Sequence, residues 1–150
     1  MANLATTDNN NAMQANNDFN IPNGYICTLD IETIEGKIAL ANAINGATSM
    51  RDKVGDILPV KDIVTTKGIR SRTSEECTNT YLICDDDNVY FTQSDGIARA
   101  VEVIVACFTD KKTLQFTSPV DLGVGLQVKE TVMASGNTLK TVVPVMLPTE

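Results

Sequence analysis

Apolar and polar residues alternate along much of the chain with the period of a pleated strand, and twice they shift to the period of a helix. Residues 25–31 are rich in β-branched and aromatic side chains and predict a first strand. Thr33 then stands at an N-cap position ahead of Ile34, Ile38, Ala41 and Ile44, a stripe near helical spacing that Asn45-Gly46 closes. Residues 56–66 read as a second strand whose start Pro59 pushes toward a sheet edge, and residues 67–76 read as a polar loop. Two apolar runs, 78–84 and 88–92, flank Asp85-Asp86-Asp87 and predict a hairpin. Ser94 caps a second helix in which Ile97, Val101, Ile104, Val105 and Phe108 recur on one face. Residues 113–117 predict a short strand. A terminal hairpin, 126–134 with 138–146, turns at Ser135-Gly136-Asn137, and Pro144 assigns its last strand to an edge.

The predicted order, β-α-β-β-β-α-β-β-β, describes a strand-rich α+β domain. Its sheet is mostly antiparallel or forms a partly open OB-like barrel, with two helices packed on it. Ahead of it, residues 1–22 carry Asn3, Asn9, Asn10, Asn11, Asn16, Asn17 and Asn20 with Phe19 as sole aromatic, and predict a disordered arm, because so little apolar surface cannot offset the entropy of ordering. Residues 23–150 then make one domain.

Composition narrows the chemistry. The chain has no histidine, which removes Ser-His and Cys-His nucleophiles, the imidazole base and the commonest metal ligand. No apolar run approaches the roughly 18 residues that a membrane-spanning helix needs, and residues 1–20 lack the basic start and apolar stretch of a secretory signal, so a cytoplasmic protein without membrane contact is the expectation. Cys27, Cys77, Cys84 and Cys107 match no zinc or redox spacing and are expected to be reduced, with Cys27, Cys84 and Cys107 in apolar segments and Cys77 in a polar one. The net charge of −7 argues against a wholly basic surface but leaves room for a local basic groove.

Asp85, Asp86 and Asp87 read as a solvated turn rather than a cation site, and Gly123 and Gly125 as a bend rather than a phosphate loop, since a strand follows and no Lys-Ser/Thr ending is present. No metal or cofactor is therefore assigned. Lys61, Lys67, Arg70 and Arg72 gather four of the chain's 12 cations in one short segment. With Phe91 and Val89 expected inward beside Leu82 and Cys84, Tyr81 and Tyr90 fall on the opposite alternation and are the candidates for exposed stacking. Cations along a backbone path beside aromatic faces are what single-stranded nucleic acid requires. Arg99, Lys111 and Lys112 complete the candidate set, and no catalytic residue is assigned.

The runs Gly36-Lys37-Ile38-Ala39-Leu40-Ala41-Asn42-Ala43-Ile44-Asn45, Ser49-Met50-Arg51-Asp52-Lys53-Val54-Gly55-Asp56, Ile57-Leu58-Pro59-Val60-Lys61-Asp62 and Val89-Tyr90-Phe91-Thr92-Gln93-Ser94-Asp95-Gly96-Ile97-Ala98-Arg99-Ala100 resemble the small single-stranded DNA-binding proteins of bacterial viruses with protein-primed replication. The similarity runs from Ile31 to Phe108. It implies a non-enzymatic protein that coats and protects single-stranded DNA during viral replication in the host cytoplasm, in an OB-like fold, with single-stranded DNA, replication proteins and further copies of itself as partners. An alternative reading, a structural or assembly protein whose arm makes subunit contacts, rests on the strand-rich domain, the polar arm and the missing catalytic groups. A carboxylate-dependent nuclease using Asp85, Asp87 or Asp95 is the third.

Overall fold

The computed structural model describes residues 25–148. The predicted N-terminal arm lies outside the described residues. Element order is α1 (Ile34–Gly46), β1 (Thr48–Ser49), β2 (Ile57–Leu58), β3 (Val60–Ile69), β4 (Glu76–Cys84), β5 (Val89–Thr92), α2 (Asp95–Cys107), β6 (Val124–Val132) and β7 (Thr138–Met146), with short 3-10 turns at Arg51–Lys53 and Pro119–Leu122. The fold is α+β and strand-rich, as the apolar pattern predicts.

The strands form two sheets that do not close into a barrel: a four-stranded one in the order β1-β5-β4-β3 and a three-stranded one in the order β2-β6-β7. Only the short β1 runs parallel to its neighbour. Pro59 stands between β2 and β3, which belong to different sheets and lie at the edge of each. A proline lacks the N–H that a central ladder needs, so the chain passes from one sheet to the other at that residue. Pro144 likewise sits in β7, an edge strand.

The four-stranded sheet is covered on both faces. On one face Ile63, Leu82, Cys84 and Tyr90 pack with Ile97, Val101 and Ile104 of α2 and with Leu126, Val128 and Val142 of the second sheet. On the other, Val64, Tyr81 and Ile83 pack with Leu40 and Ala43 of α1 and with Cys27. Helix α2 keeps its predicted stripe. Ser94 Oγ accepts from Ile97 N at 3.3 Å and so caps its first turn.

Helix α1 is capped by Thr33, whose Oγ1 accepts from Gly36 N at 2.9 Å, but it is rotated relative to the expected stripe. Ile34 and Ile38 are 66% and 55% exposed, whereas Gly36, Leu40 and Ala43 are buried. Positions 34 and 36 differ by about 200° around a helix, so two stripes of equal period compete. Gly36 decides between them: a Cβ there would run into the Asp30 carbonyl oxygen, so this face alone lets the helix start lie on the preceding chain.

Three further expectations are corrected. Residues 25–31 make one isolated bridge, Cys27 with Val64, rather than a full strand. Thr28 N reaches Ile63 O at 3.1 Å and Thr65 N reaches Ile26 O at 2.8 Å. The reciprocal amides are diverted to hydroxyls, Ile26 N to Thr65 Oγ1 at 2.8 Å and Ile63 N to Thr28 Oγ1 at 3.0 Å. Strand β3 runs on through Lys67 and Gly68 to Ile69, into what reads as loop, because β4 begins early enough to pair with it, Ile69 opposite Glu76. Residues 113–117 contribute only the bridge between Thr109 and Phe116. There the Asp110 carboxylate accepts from Lys112 N at 2.8 Å and Thr113 N at 2.9 Å, holding a turn in place of a strand. Those two backbone donors also keep the Asp110 carboxyl below its ordinary range.

All four cysteines are free thiols. Their burial reverses part of the expectation: Cys77 is buried and Cys107 is exposed. Cys107 lies one helical turn after Val103, which is itself 63% exposed, on the solvent side of α2.

Candidate nucleic-acid interface

The predicted cations do not form one groove. Lys61 lies at a bulge near the start of β3, where the register shifts between Val60 and Asp62. Lys67 is on the same strand but is bound to Glu76 at 3.3 Å. Arg70 follows the strand and pairs with Asp95 at 3.2 Å. Arg72 is exposed in the turn joining β3 to β4, and Arg99 is exposed one turn into α2 from Asp95. Lys111 and Lys112 lie exposed beyond the far end of this helix, whose 13 residues span about 20 Å. Structure thus groups Lys67, Arg70, Arg72 and Arg99 toward the start of α2 and separates Lys61, Lys111 and Lys112 from them. Lys67 and Arg70 each share their charge with one exposed carboxylate.

The tyrosines depart further from expectation. Tyr81 and Tyr90 are only 7% and 8% exposed, so neither offers an open ring for stacking. Tyr90 stands opposite Leu82 and faces the α2 side, and Tyr81 stands opposite Phe91 and faces the α1 side. The assumed alternation therefore had Tyr90 and Phe91 exchanged. The rings of Tyr81 and Phe91 meet at 5.3 Å between centroids, tilted by 42°. Burial pushes the Tyr81 phenol above its ordinary pKa, offset in part by a hydrogen bond with Thr66. Lys53 lies over the Tyr90 ring with Nζ 5.2 Å from its centroid, a cation–π contact on a ring otherwise in the core.

Beside these lies a cleft of about 360 Å³ that the reading of local sequence misses. Its lining comes from four places in the chain: Ser49, Met50, Arg51 and Val54 around the first 3-10 turn; Phe91, Thr92 and Gln93 at the end of β5, with Ile97 of α2; Val128 of β6; and Lys140 of β7. The wall at β5 is fixed by the Met50 amide donating to Phe91 O at 3.0 Å and by Gln93 Nε2 donating to Asn79 Oδ1 at 3.0 Å. Helix α2 comes close to β7 because residue 96 is glycine: a Cβ there would collide with the Lys140 carbonyl oxygen. The volume lies within the roughly 300–1,000 Å³ of small-ligand clefts. It combines two cations with apolar and hydroxyl side chains, while the Phe91 ring packs against Tyr81 on the α1 side. Among the described residues no group of three or more carboxylates and thiols is placed to hold a metal ion.

Comparison with known proteins adds a family. The model of the family described as phage single-stranded DNA-binding protein, of the Phi29 type, matches residues 20–141. No curated protein matches, and no solved structure does. Among the described residues no helix is long and apolar enough to cross a membrane.

Proposed function

Since the chain belongs to the Phi29-type family of phage single-stranded DNA-binding proteins, matched over residues 20–141, we propose that it coats single strands exposed during viral DNA replication in the host cytoplasm, without sequence preference and without chemistry of its own. The family match is the observation that carries this reading. The surface agrees with it in kind. Exposed cations are spread over several elements, Arg72 and Arg99 near the start of α2 and Lys111 and Lys112 beyond its end, and a strand passing between them would meet phosphate contacts at intervals. Contacts of that sort supply affinity but read no base, which is the basis of sequence-independent binding. Lys67 and Arg70 add to the group at the start of α2, each in competition with its carboxylate, Glu76 and Asp95, while Lys61 stands apart at the other end of β3. The overall charge of −7 does not oppose this, because counterion release depends on the cations that touch phosphate and not on the sum.

Fluorescence anisotropy of labelled oligothymidine, titrated with protein at low and at high salt, tests the proposal. Binding that weakens steeply with salt and differs little between oligothymidine and a mixed sequence is the expected result. Absence of binding at micromolar protein in low salt refutes it.

A further inference from the structure

We propose that the cleft between the 3-10 turn at Arg51 and the β6–β7 ribbon is a nucleotide subsite, holding one nucleoside phosphate unit of a bound strand. Arg51 and Lys140 neutralise its phosphate, and Val54 receives its base. The assignment rests on the single-stranded DNA-binding reading and gives it a location that the local cation cluster does not.

Three observations carry it. The first is how the cations are committed. Lys67 and Arg70, the centre of the predicted cluster, are held by Glu76 and Asp95, whereas neither Arg51 nor Lys140 forms an ion pair with a described carboxylate. Glu130 faces Lys140 across the β6–β7 ladder but makes no ion pair with it, so both cations remain open to an incoming phosphate. The second is convergence. Arg51 and Lys140 are 89 positions apart in sequence, yet they line the same cavity of about 360 Å³ and come from different elements. The third is the mixed lining. Val54 is 41% exposed, so apolar surface is accessible in the same cleft as the charges. A nucleotide has this division of apolar base and anionic phosphate, and stacking on an apolar surface tolerates any base.

The ribbon supplies its own control. Glu130 stands opposite Lys140 in the β6–β7 ladder, and Lys129, one position before Glu130, therefore projects from the other face of the ribbon. Lys129→Gln removes the same charge from the same ribbon without touching the cleft.

The experiment measures oligothymidine affinity against salt for the wild type, Arg51→Gln, Lys140→Gln, the double variant and Lys129→Gln, each checked by thermal melting. In the double variant the slope of log K against log salt is expected to become shallower by about 1.4, from about 0.7 for each lost single-strand phosphate contact. Lys129→Gln should leave it unchanged. If the wild type fails to bind, the family-based reading falls and this assignment falls with it. If the wild type binds but the double variant keeps its slope, or Lys129→Gln flattens the slope as much as Lys140→Gln does, the cleft assignment alone is overturned. Millimolar free thymidine monophosphate distinguishes the source of the ligand. It should compete weakly. Tight binding of the free nucleotide, lost in the double variant while oligothymidine affinity is unchanged, overturns the assignment to a strand.

Discussion

Replacing Gly96 by alanine tests how α2 is seated on the ribbon that carries Lys140. Gly96 is the second residue of α2, where alanine is favoured by less than the roughly 0.8–1 kcal/mol of a helix interior, so helix propensity alone predicts that Gly96→Ala is neutral or mildly stabilising. Packing predicts the reverse. The added methyl group would meet the Lys140 carbonyl oxygen, and Leu139 Cδ1 stands 3.3 Å from the same point. The leucine can rotate away; the carbonyl belongs to the β7 backbone and cannot move unless the strand or the helix does. Forcing an extra carbon into such a contact costs about 1–3 kcal/mol, and here the obstacle is rigid, which favours the upper part of that range. The balance is a loss of about 1–2 kcal/mol, a fall in melting temperature of about 3–8 °C for a domain of this size. Gly46, the last residue of α1, is the matched control, since a Cβ there meets nothing within 4 Å; Gly46→Ala should be neutral or stabilise by up to about 1 kcal/mol. Urea denaturation of both variants, with equal m-values confirming an unchanged unfolding transition, reads the difference. A Gly96→Ala midpoint at or above the wild type would refute the close seating of α2 on β7, and with it the position of the cleft wall that this contact sets.

Two further outcomes follow from burial. The Cys27 thiol is pushed up to about 11 by burial, and Cys84 to about 12 by burial and the charges of Asp86 and Asp85, while Cys107 is exposed. At pH 8 these two thiols are thiolate on the order of one part in 10³ and one in 10⁴, and Cys77 is shielded by its burial, so a thiol-specific disulfide reagent should modify one cysteine quickly in the native protein and all 4 after unfolding; a second fast thiol would contradict the packing of the core. Burial also raises the Asp62 carboxyl above its ordinary pKa, only partly offset by the Thr28 hydroxyl donating to Oδ1 at 2.7 Å. The folded state then binds that proton more tightly than the unfolded state does, so the group costs stability above the folded pKa, and the cost disappears as pH falls below the ordinary carboxylate value of about 3.9. Asp62→Asn, which retains an acceptor for Thr28, should therefore raise the melting temperature at pH 7 and converge with the wild type near pH 3; a gain that does not shrink on acidification would assign the effect to something other than the carboxylate charge.

How far these features can be read from sequence depends on the range of the interaction behind each one. Caps and turns are local, and Thr33, Ser94, the Asp85–Asp87 turn and the turn at Gly136 stand where their side chains and backbone preferences place them. The helical stripe of α2 is legible because one face of that helix is apolar and the other is not. In α1 two apolar stripes compete, and a contact between Gly36 and the preceding chain, not the period, selects the face. The hairpin shows the stricter limit. Tyr81-Leu82-Ile83-Cys84 and Val89-Tyr90-Phe91 are continuous apolar runs, the pattern of strands covered on both faces, and alternation assigns an outside only when one face meets water. Tyr81 and Tyr90 could be placed outside only by treating a two-sided strand as one-sided. The cations obey the same logic. Lys61 to Arg72 are close in sequence, but a strand advances about 3.3 Å per residue and turns alternate residues to opposite faces, so proximity along the chain disperses them. Arg51 and Lys140 converge through the packing of the two sheets around Pro59 and the seating of Gly96 on β7. A binding site assembled by such long-range contacts leaves no cluster in the sequence, and for a strand-rich domain the cations to test first are the ones the sheets bring together.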